Sequence, residues 1–298
     1  MHGLELGSRR SDAVDGRRRA TYGLATVVGS AMVVQSAAGT FLPGLYRDAE
    51  FALNAWRVND PVTLLVAVPV LFASLALARR GSARGHLVLL GALQYALYNY
   101  AFYLFGAELN AHFLIYVAAF TASGAALVTG VAMLDPVAVG RSFSRATPAR
   151  PVSAYMAVWA AVLGLAWTAQ WLAYVLTGRA PEIGTEPFRL IAALDLSLVV
   201  APVALGAAWL WARRGWGFVI AVVMNVKGAI YAGMLAVGSL ASGALAAGGG
   251  DGLLGLWAFF TVGSLVALAL LLRNMHVPAE RAGSEESLSG GRRSGRAT

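Results

Sequence analysis

Eight long apolar stretches dominate the chain, and short polar segments separate them. Each stretch is near the roughly 20 residues that a helix needs to cross a bilayer. None of them alternates between apolar and polar residues over about 10 positions, as a transmembrane barrel strand does. The pattern therefore predicts an all-α, polytopic membrane protein with eight transmembrane helices. The predicted spans are about 22–42, 61–78, 86–105, 112–134, 152–176, 190–212, 218–240 and 253–272.

The few polar residues in these stretches recur in register in the two halves of the chain. Gln35 precedes Asp60 by the same number of residues as Gln170 precedes Asp195. Further matching positions follow in order: Pro69 and Pro202, the Arg-Arg-Gly runs at 79–81 and 213–215, Gln94 with Tyr98 and Lys227 with Tyr231, and Phe-Thr at 120–121 and 260–261. This register indicates a duplicated unit.

The duplication predicts two parallel repeats of four helices, at 22–135 and 152–274. An even number of spans per repeat points both halves the same way, which predicts a pseudo-two-fold axis along the membrane normal. A linker at 136–151 joins the repeats, and residues 1–21 form an N-terminal segment. The Ser-, Gly- and Arg-rich tail at 275–298 is predicted to be disordered, and the small residues from Ser242 to Gly252 predict a flexible loop. Duplication can also serve only to build a stable bundle.

Composition supports a membrane protein, since 58% of the residues are hydrophobic, 13% are charged and the mean hydropathy is +0.65. Soluble domains have roughly 45–50% apolar and about 25% charged residues. With no cysteine, the chain can form neither disulfides nor thiolate ligands. The four histidines do not fall at ligand spacings, and phosphate-binding loops, nucleophile elbows and paired-acid motifs are lacking. We therefore expect neither a metal nor another cofactor.

The net charge of +8 comes from arginines that lie mostly in alternate polar segments. Eighteen arginines are on the side that holds both termini, and four (Arg47, Arg57, Arg179 and Arg189) are on the other. The positive-inside rule then predicts a multi-pass protein of the cell membrane with both termini in the cytoplasm. The first 21 residues are too polar for a signal peptide, so the first helix should remain. Membrane lipids, the anionic ones included, explain the charge better than nucleic acid does.

Lys227, the only lysine in the chain, falls near the middle of the seventh predicted helix. Inserting a charged side chain there costs about 2.5–3.5 kcal/mol, so it should face a partner or water. Asp195 on the sixth helix is the candidate partner. The two residues form either an ion pair that fixes the helix register or a ligand or proton site. Asp60 lies at the start of its predicted helix, where an N-cap role competes with a site role.

The remaining candidate site residues are hydrogen-bonding side chains at the matching positions: Gln35, Gln170, Gln94, Tyr98 and Tyr231. Around one pseudo-axis they would form a central polar site, with Lys227 in place of Gln94 as its asymmetry. They can equally be hydrogen-bonding contacts between helices. Aromatic residues from Tyr95 to Tyr103 and from Trp167 to Tyr174 form either an interfacial belt or the wall of a cavity.

These features predict a small-molecule or amphipathic ligand as a partner, and translocation of that solute as the function. An integral membrane enzyme acting on a lipid or isoprenoid, with Asp195 as general acid, is an alternative. A sensor or assembly protein without turnover is another. The sequence identifies neither the substrate nor the oligomeric state.

Overall fold

The computed structural model describes residues 2–245 and 252–276, and in this part of the chain the secondary structure is helical. Eleven α-helices and two π-helical turns follow one another in these residues. The helices are α1 (His2–Phe41), α2 (Glu50–Val62), α3 (Val68–Arg79), α4 (Ala83–Gly106), α5 (Phe113–Val131), α6 (Pro136–Ser142), α7 (Ala149–Thr177), α8 (Thr185–Asp195), α9 (Ala201–Trp211), α10 (Gly215–Leu245) and α11 (Leu254–Arg273). The π turns, Thr63–Ala67 and Leu196–Val200, join α2 to α3 and α8 to α9.

Eight of the described helical segments are long and apolar enough to cross a membrane, which fits a multi-pass membrane protein. They are Val14–Phe41, Ala52–Arg79, Ala83–Gly106, Phe113–Val131, Ala149–Thr177, Thr185–Trp211, Gly215–Ala241 and Leu254–Arg273. The predicted all-α class and the eight spans are thus confirmed. The parallel repeats and their domain bounds, the cell membrane and the cytoplasmic termini stay predictions.

The second span begins earlier than its apolar stretch, and this corrects the N-cap interpretation of Asp60. Helix α2 starts at Glu50, so Asp60 lies about three turns inside it, next to Pro61. The preceding turns carry Asn54 and Arg57, whose polarity made this segment look like a loop in the sequence. The sixth span, which starts with α8 at Thr185, likewise begins ten residues before its acid, Asp195.

Both π turns end two residues before a proline. The first ends at Ala67, before Pro69, and the second ends at Val200, before Pro202. Proline lacks an N–H, and its ring clashes with the carbonyl four residues earlier, so the helix must widen or kink there. The wider turns carry bonds from the Val68 N–H to the Thr63 carbonyl and from the Ala201 N–H to the Leu196 carbonyl. Such π turns are frequent at functional sites.

Helices α4 and α10 are the centre of the bundle. In their most apolar windows 72% and 67% of the residues are buried, against 22–39% in the other six spans. Gly91 allows the two helices to approach closely, since a Cβ there would overlap the Val226 side chain and lie 2.9 Å from the Val223 carbonyl oxygen. The polar residues in the middle of these two helices, such as Asn99, Asn225 and Lys227, therefore lie inside the protein.

Several arginines lie at one end of the bundle and hydrogen-bond the segments there, and we call it the arginine-rich end. These arginines are Arg17, Arg18, Arg79, Arg84 and Arg213. Arg18 donates to the Arg79 carbonyl (3.0 Å), and Arg213 donates to the carbonyls of Thr147 (3.1 Å) and Ser144 (2.9 Å).

The predicted linker contains α6, which Asp135 caps. The linker also accepts a hydrogen bond from the chain after α11, since the His276 N–H donates to the Ser142 carbonyl (2.6 Å). The end of the predicted tail, 277–298, and residues 246–251 of the predicted flexible loop lie outside the described residues.

Candidate functional site

The first of two buried acidic centres is built around Asp60, whose side chain is fully buried. Its Oδ1 accepts hydrogen bonds from Gln35 Nε2 (2.9 Å) and the Tyr103 hydroxyl (2.6 Å), and its Oδ2 accepts one from the Tyr46 hydroxyl (2.7 Å). The Gln35 amide also donates to Tyr46 (2.8 Å) and accepts from Tyr100 (3.0 Å). Every bond to Asp60 comes from a neutral amide or hydroxyl group. We call these five residues the Asp60 cluster.

The Asp60 cluster is rigidly packed. Gly39 of α1 gives the carboxyl room, since a Cβ there would overlap Asp60 and Tyr46. The Tyr103 ring stacks on Trp56, with their centroids 4.1 Å apart. Tyr46 comes from the connection between α1 and α2, and burial together with the charge of Asp60 raises its pKa. This centre holds four neutral donors and acceptors around one acid, all from the first half of the chain.

A chain of amide and hydroxyl groups extends from this cluster along α4. Asn59 Nδ2 donates to Asn99 Oδ1 (2.7 Å) and to the Tyr103 hydroxyl (3.2 Å), and Thr63 and Tyr95 share a hydrogen bond of 2.7 Å. The buried Nδ2 of Asn99 has no partner among the described residues.

The second acidic centre is built around Asp195, at the end of α8. Its Oδ1 accepts from the Tyr98 hydroxyl (2.6 Å) and its Oδ2 from Trp167 Nε1 (2.8 Å). Tyr98 belongs to α4 in the first half of the chain, whereas Trp167 belongs to α7 in the second. The acid is therefore held from both halves, unlike Asp60.

Lys227 lies beside Asp195 but does not pair with it directly. No ion pair of Lys227 within 4.0 Å occurs in the described chain, where the one salt bridge found joins Arg189 and Glu186. The ammonium instead lies 3.9 Å from the centroid of the Tyr98 ring and 4.3 Å from that of Tyr231. The two rings meet edge to face, 4.8 Å apart. Tyr98 thus contacts the cation with its ring and the anion with its hydroxyl. We call Asp195, Lys227, Tyr98, Tyr231 and Trp167 the Asp195 cluster.

A small cavity of about 30 Å³ adjoins the Asp195 cluster. That is about the volume that one water molecule occupies in the liquid. Asp195 and Lys227 both line it, with aromatic side chains around them. The full lining is Trp159, Leu163, Asp195, Val199, Lys227, Gly228, Tyr231, Ala232, Leu235, Trp257 and Phe260. Asp195 and Lys227 are 7% and 2% exposed, so the cavity gives the charges almost no contact with the surroundings.

Gln94 lies close to this centre, on the other side of the second π turn. Its Nε2 donates to the Leu198 carbonyl at 3.2 Å. In a regular helix that carbonyl would accept from residue 202, but Pro202 has no N–H to give. Gln94 therefore replaces a missing backbone donor, and this interaction ties α4 to the distorted helix of the second half.

Gln170 does not join either centre, although its spacing from Asp195 matches that of Gln35 from Asp60. The side chain is exposed, and its amide bonds only the Ala166 carbonyl of its own helix, at 3.4 Å. Trp167, about one turn earlier on α7, bonds Asp195 instead. The expectation of a Gln170 that faces the shared interior is therefore wrong in this structure. Gln35 and Asp60 lie in one centre, and Asp195, Lys227, Tyr98 and Tyr231 lie in the other. Gln94 belongs to neither and bonds the Leu198 carbonyl.

Three members of the two clusters were visible in the sequence only as members of the aromatic groups: Tyr100, Tyr103 and Trp167. Tyr100 and Tyr103 are fully buried, whereas Trp171 and Tyr174 are about half exposed, as residues of an interfacial belt are. The spacing of Tyr100 and Tyr103 along α4 does not mark them as partners of a buried acid, because residues on almost every face of that helix are buried. Tyr46 carried no signal, since it lies in a polar connection far from any match.

Among the described residues, no group of three or more His, Asp or Glu side chains could hold a metal ion. Comparisons of the chain with protein-family models, curated proteins and solved structures find no match. The interpretation of the site therefore rests on its chemistry.

Proposed function

We propose that the protein binds and translocates a small solute, and that the Asp195 cluster is its binding site. The observation that carries the proposal is a buried cation and a buried anion that share a cavity without pairing. A lysine kept only to fix helix register would be expected to bond its acid directly. Here the ammonium retains its hydrogen-bonding capacity towards the cavity, and intramembrane charges of this kind mark substrate or ion pathways by default.

The position of the site also supports translocation. Tyr98 and Tyr231, which match in the two halves of the chain, touch each other, as equivalent residues near a two-fold axis do. The cluster lies beside a π turn and a proline, where the backbone of a helix is least regular. Transporters place their sites at interrupted helices between repeats. By this proposal the cavity opens to a larger solute when the halves of the chain move and the two tyrosine rings separate.

The experiment uses the purified chain in liposomes with three probes, since the solute is not identified: methylammonium as a cation, acetate as an anion and ethidium as an amphipathic molecule. We expect at least one probe to cross faster than in empty liposomes. Lys227→Met and Asp195→Asn should reduce that flux to the level of empty liposomes, because each removes one charge from the cavity.

Gln170→Met is the matched control, since it also replaces a polar side chain in a span but lies away from the cavity. It should leave the flux unchanged. Wild-type and Lys227→Met proteins that behave alike with all three probes would contradict the proposal.

A further inference from the structure

A second and larger cavity opens sideways between the two halves of the chain, and neither Asp195 nor Lys227 lines it. It has a volume of about 670 Å³ and apart from Gln94 its lining is apolar. One wall comes from α5 and the other from α9 and α10. The lining residues are Gln94, Leu127, Val128, Val131, Ala132, Leu134, Pro202, Trp216, Val219, Ile220, Val223 and Met224. We call it the lateral groove.

The lateral groove has the depth of one membrane leaflet. It begins at Ala132, Leu134 and Trp216, near the arginine-rich end, and it ends at Gln94 in the middle of α4. The stretch of α10 from Trp216 to Met224 rises by about 12 Å at about 1.5 Å per residue. Half of a bilayer core is about 15 Å thick. Val128 is 71% exposed, so the groove faces the hydrocarbon. An occupant of this space is an apolar chain rather than water.

The mouth of the lateral groove carries a positive charge that has unused hydrogen-bonding capacity. Arg17 is exposed and donates through Nη1 to the carbonyl of Ala132 (3.3 Å), a residue of the groove itself. A guanidinium has five N–H donors, and its planar fork suits a phosphate group. Arg214, also exposed, precedes Trp216 by two residues on the opposite wall.

The apolar groove, one leaflet deep, matches the acyl chain of a phospholipid, and the arginine at its mouth matches the phosphate. We propose that the lateral groove binds an anionic phospholipid, with an acyl chain against Val128, Val131 and Ile220 and the phosphate on Arg17. A span from a second copy could also fill the apolar part, but a copy in the same orientation would bring its own arginine-rich end next to Arg17. The lipid site does not depend on the proposed transport function.

The test is native mass spectrometry of the full chain after reconstitution with phosphatidylglycerol and phosphatidylcholine in equal amounts. We expect one phosphatidylglycerol to stay bound to the wild type in preference to phosphatidylcholine. Arg17→Gln should weaken its retention about tenfold, because a charge-assisted contact to the phosphate is lost. Arg19→Gln, which removes a neighbouring exposed arginine of the same helix, is the matched control and should retain the lipid.

A second pair of variants tests the acyl-chain part without changing the charge. Val128→Trp should fill the groove and displace the lipid. Val262→Trp, in a separate apolar cavity between α7 and α11, should not. Equal retention in Arg17→Gln and Arg19→Gln, or full retention in Val128→Trp, would overturn the proposal. A dimer that Val128→Trp dissociates would also overturn it, because a second copy would then occupy the groove.

Discussion

The Asp60 and Asp195 clusters start from similar sequence patterns and end as different kinds of centre. Each acid lies ten residues after the start of its helix, just before a π turn and a proline. Asp60 accepts three hydrogen bonds, all from the first half of the chain, and is fully buried. Asp195 accepts two, one from each half, and borders a cavity that it shares with Lys227.

The difference shows what a buried acid needs in order to be structural. Three neutral donors can solvate a carboxylate in place of water, so such a centre does not require a cation. At Asp195, two donors and a lysine that does not pair with the acid leave hydrogen-bonding capacity at the cavity. The first centre joins helices of the first half of the chain, and the second lies where the two halves meet and where a solute could change the contacts.

The largest expected effect on stability is that of Asp60→Ala. It leaves Gln35, Tyr46 and Tyr103 without their common acceptor in a dry interior, so we expect it to lower the free energy of unfolding by about 3–5 kcal/mol. The double variant Asp195→Ala/Lys227→Met removes both charges of the other centre together. It should cost only about 1–2 kcal/mol, because the two donors that it frees lie beside a cavity.

Unfolding of both variants in mixed micelles with increasing dodecyl sulfate, followed by tryptophan fluorescence, measures this order. If the double variant were the less stable of the two, the Asp195 cluster would be the structural centre.

Gln35 and Gln170 sharpen the comparison, because each precedes its acid by the same number of residues in the sequence. Gln35→Leu removes a donor from Asp60 and the acceptor of Tyr100, so it should cost about 2 kcal/mol. Gln170→Leu removes an amide that bonds only its own helix, and it should change the free energy of unfolding by less than about 0.5 kcal/mol. The same titration measures both variants. Equal costs would mean that Gln170 faces the interior after all.

These glutamines also show how far the sequence could predict the site. The length and apolarity of each stretch predict where most spans begin and end to within a few residues, because the thickness of the hydrocarbon core sets both the length and the apolarity of a span. The exceptions are the polar first turns of α1, α2 and α8, which carry charged residues such as Arg57. Which face of a span looks inward is a weaker signal, because lipid and protein interior are equally apolar. The sequence could therefore place Gln170 in its helix without showing that Trp167 would replace it beside Asp195.

A smaller effect is expected at the contact that joins the halves beside the second π turn. Gln94→Leu leaves the Leu198 carbonyl without its side-chain donor and should cost about 0.6–1 kcal/mol. In a Pro202→Ala background the helix regains a backbone N–H at residue 202, which can bond that carbonyl instead. Gln94→Leu should then cost close to nothing.

A double-mutant cycle of these two substitutions isolates this coupling. Additive costs would mean that the proline does not explain the contact, and that Gln94 serves the lateral groove rather than the helix.

A small effect on stability is also expected at Lys227, the residue on which the proposed function depends most. Burying its ammonium in the bilayer core costs about 2.5–3.5 kcal/mol. Two desolvated cation–π contacts return about 1–2 kcal/mol each. These contributions nearly cancel, so Lys227→Met should change the free energy of unfolding by no more than about 1 kcal/mol, measured by the same titration. A side chain whose removal leaves the fold intact but abolishes flux is kept for the cavity. If Lys227→Met instead unfolded the protein as readily as Asp60→Ala, the lysine would be a structural residue and the contrast between the two clusters would be lost.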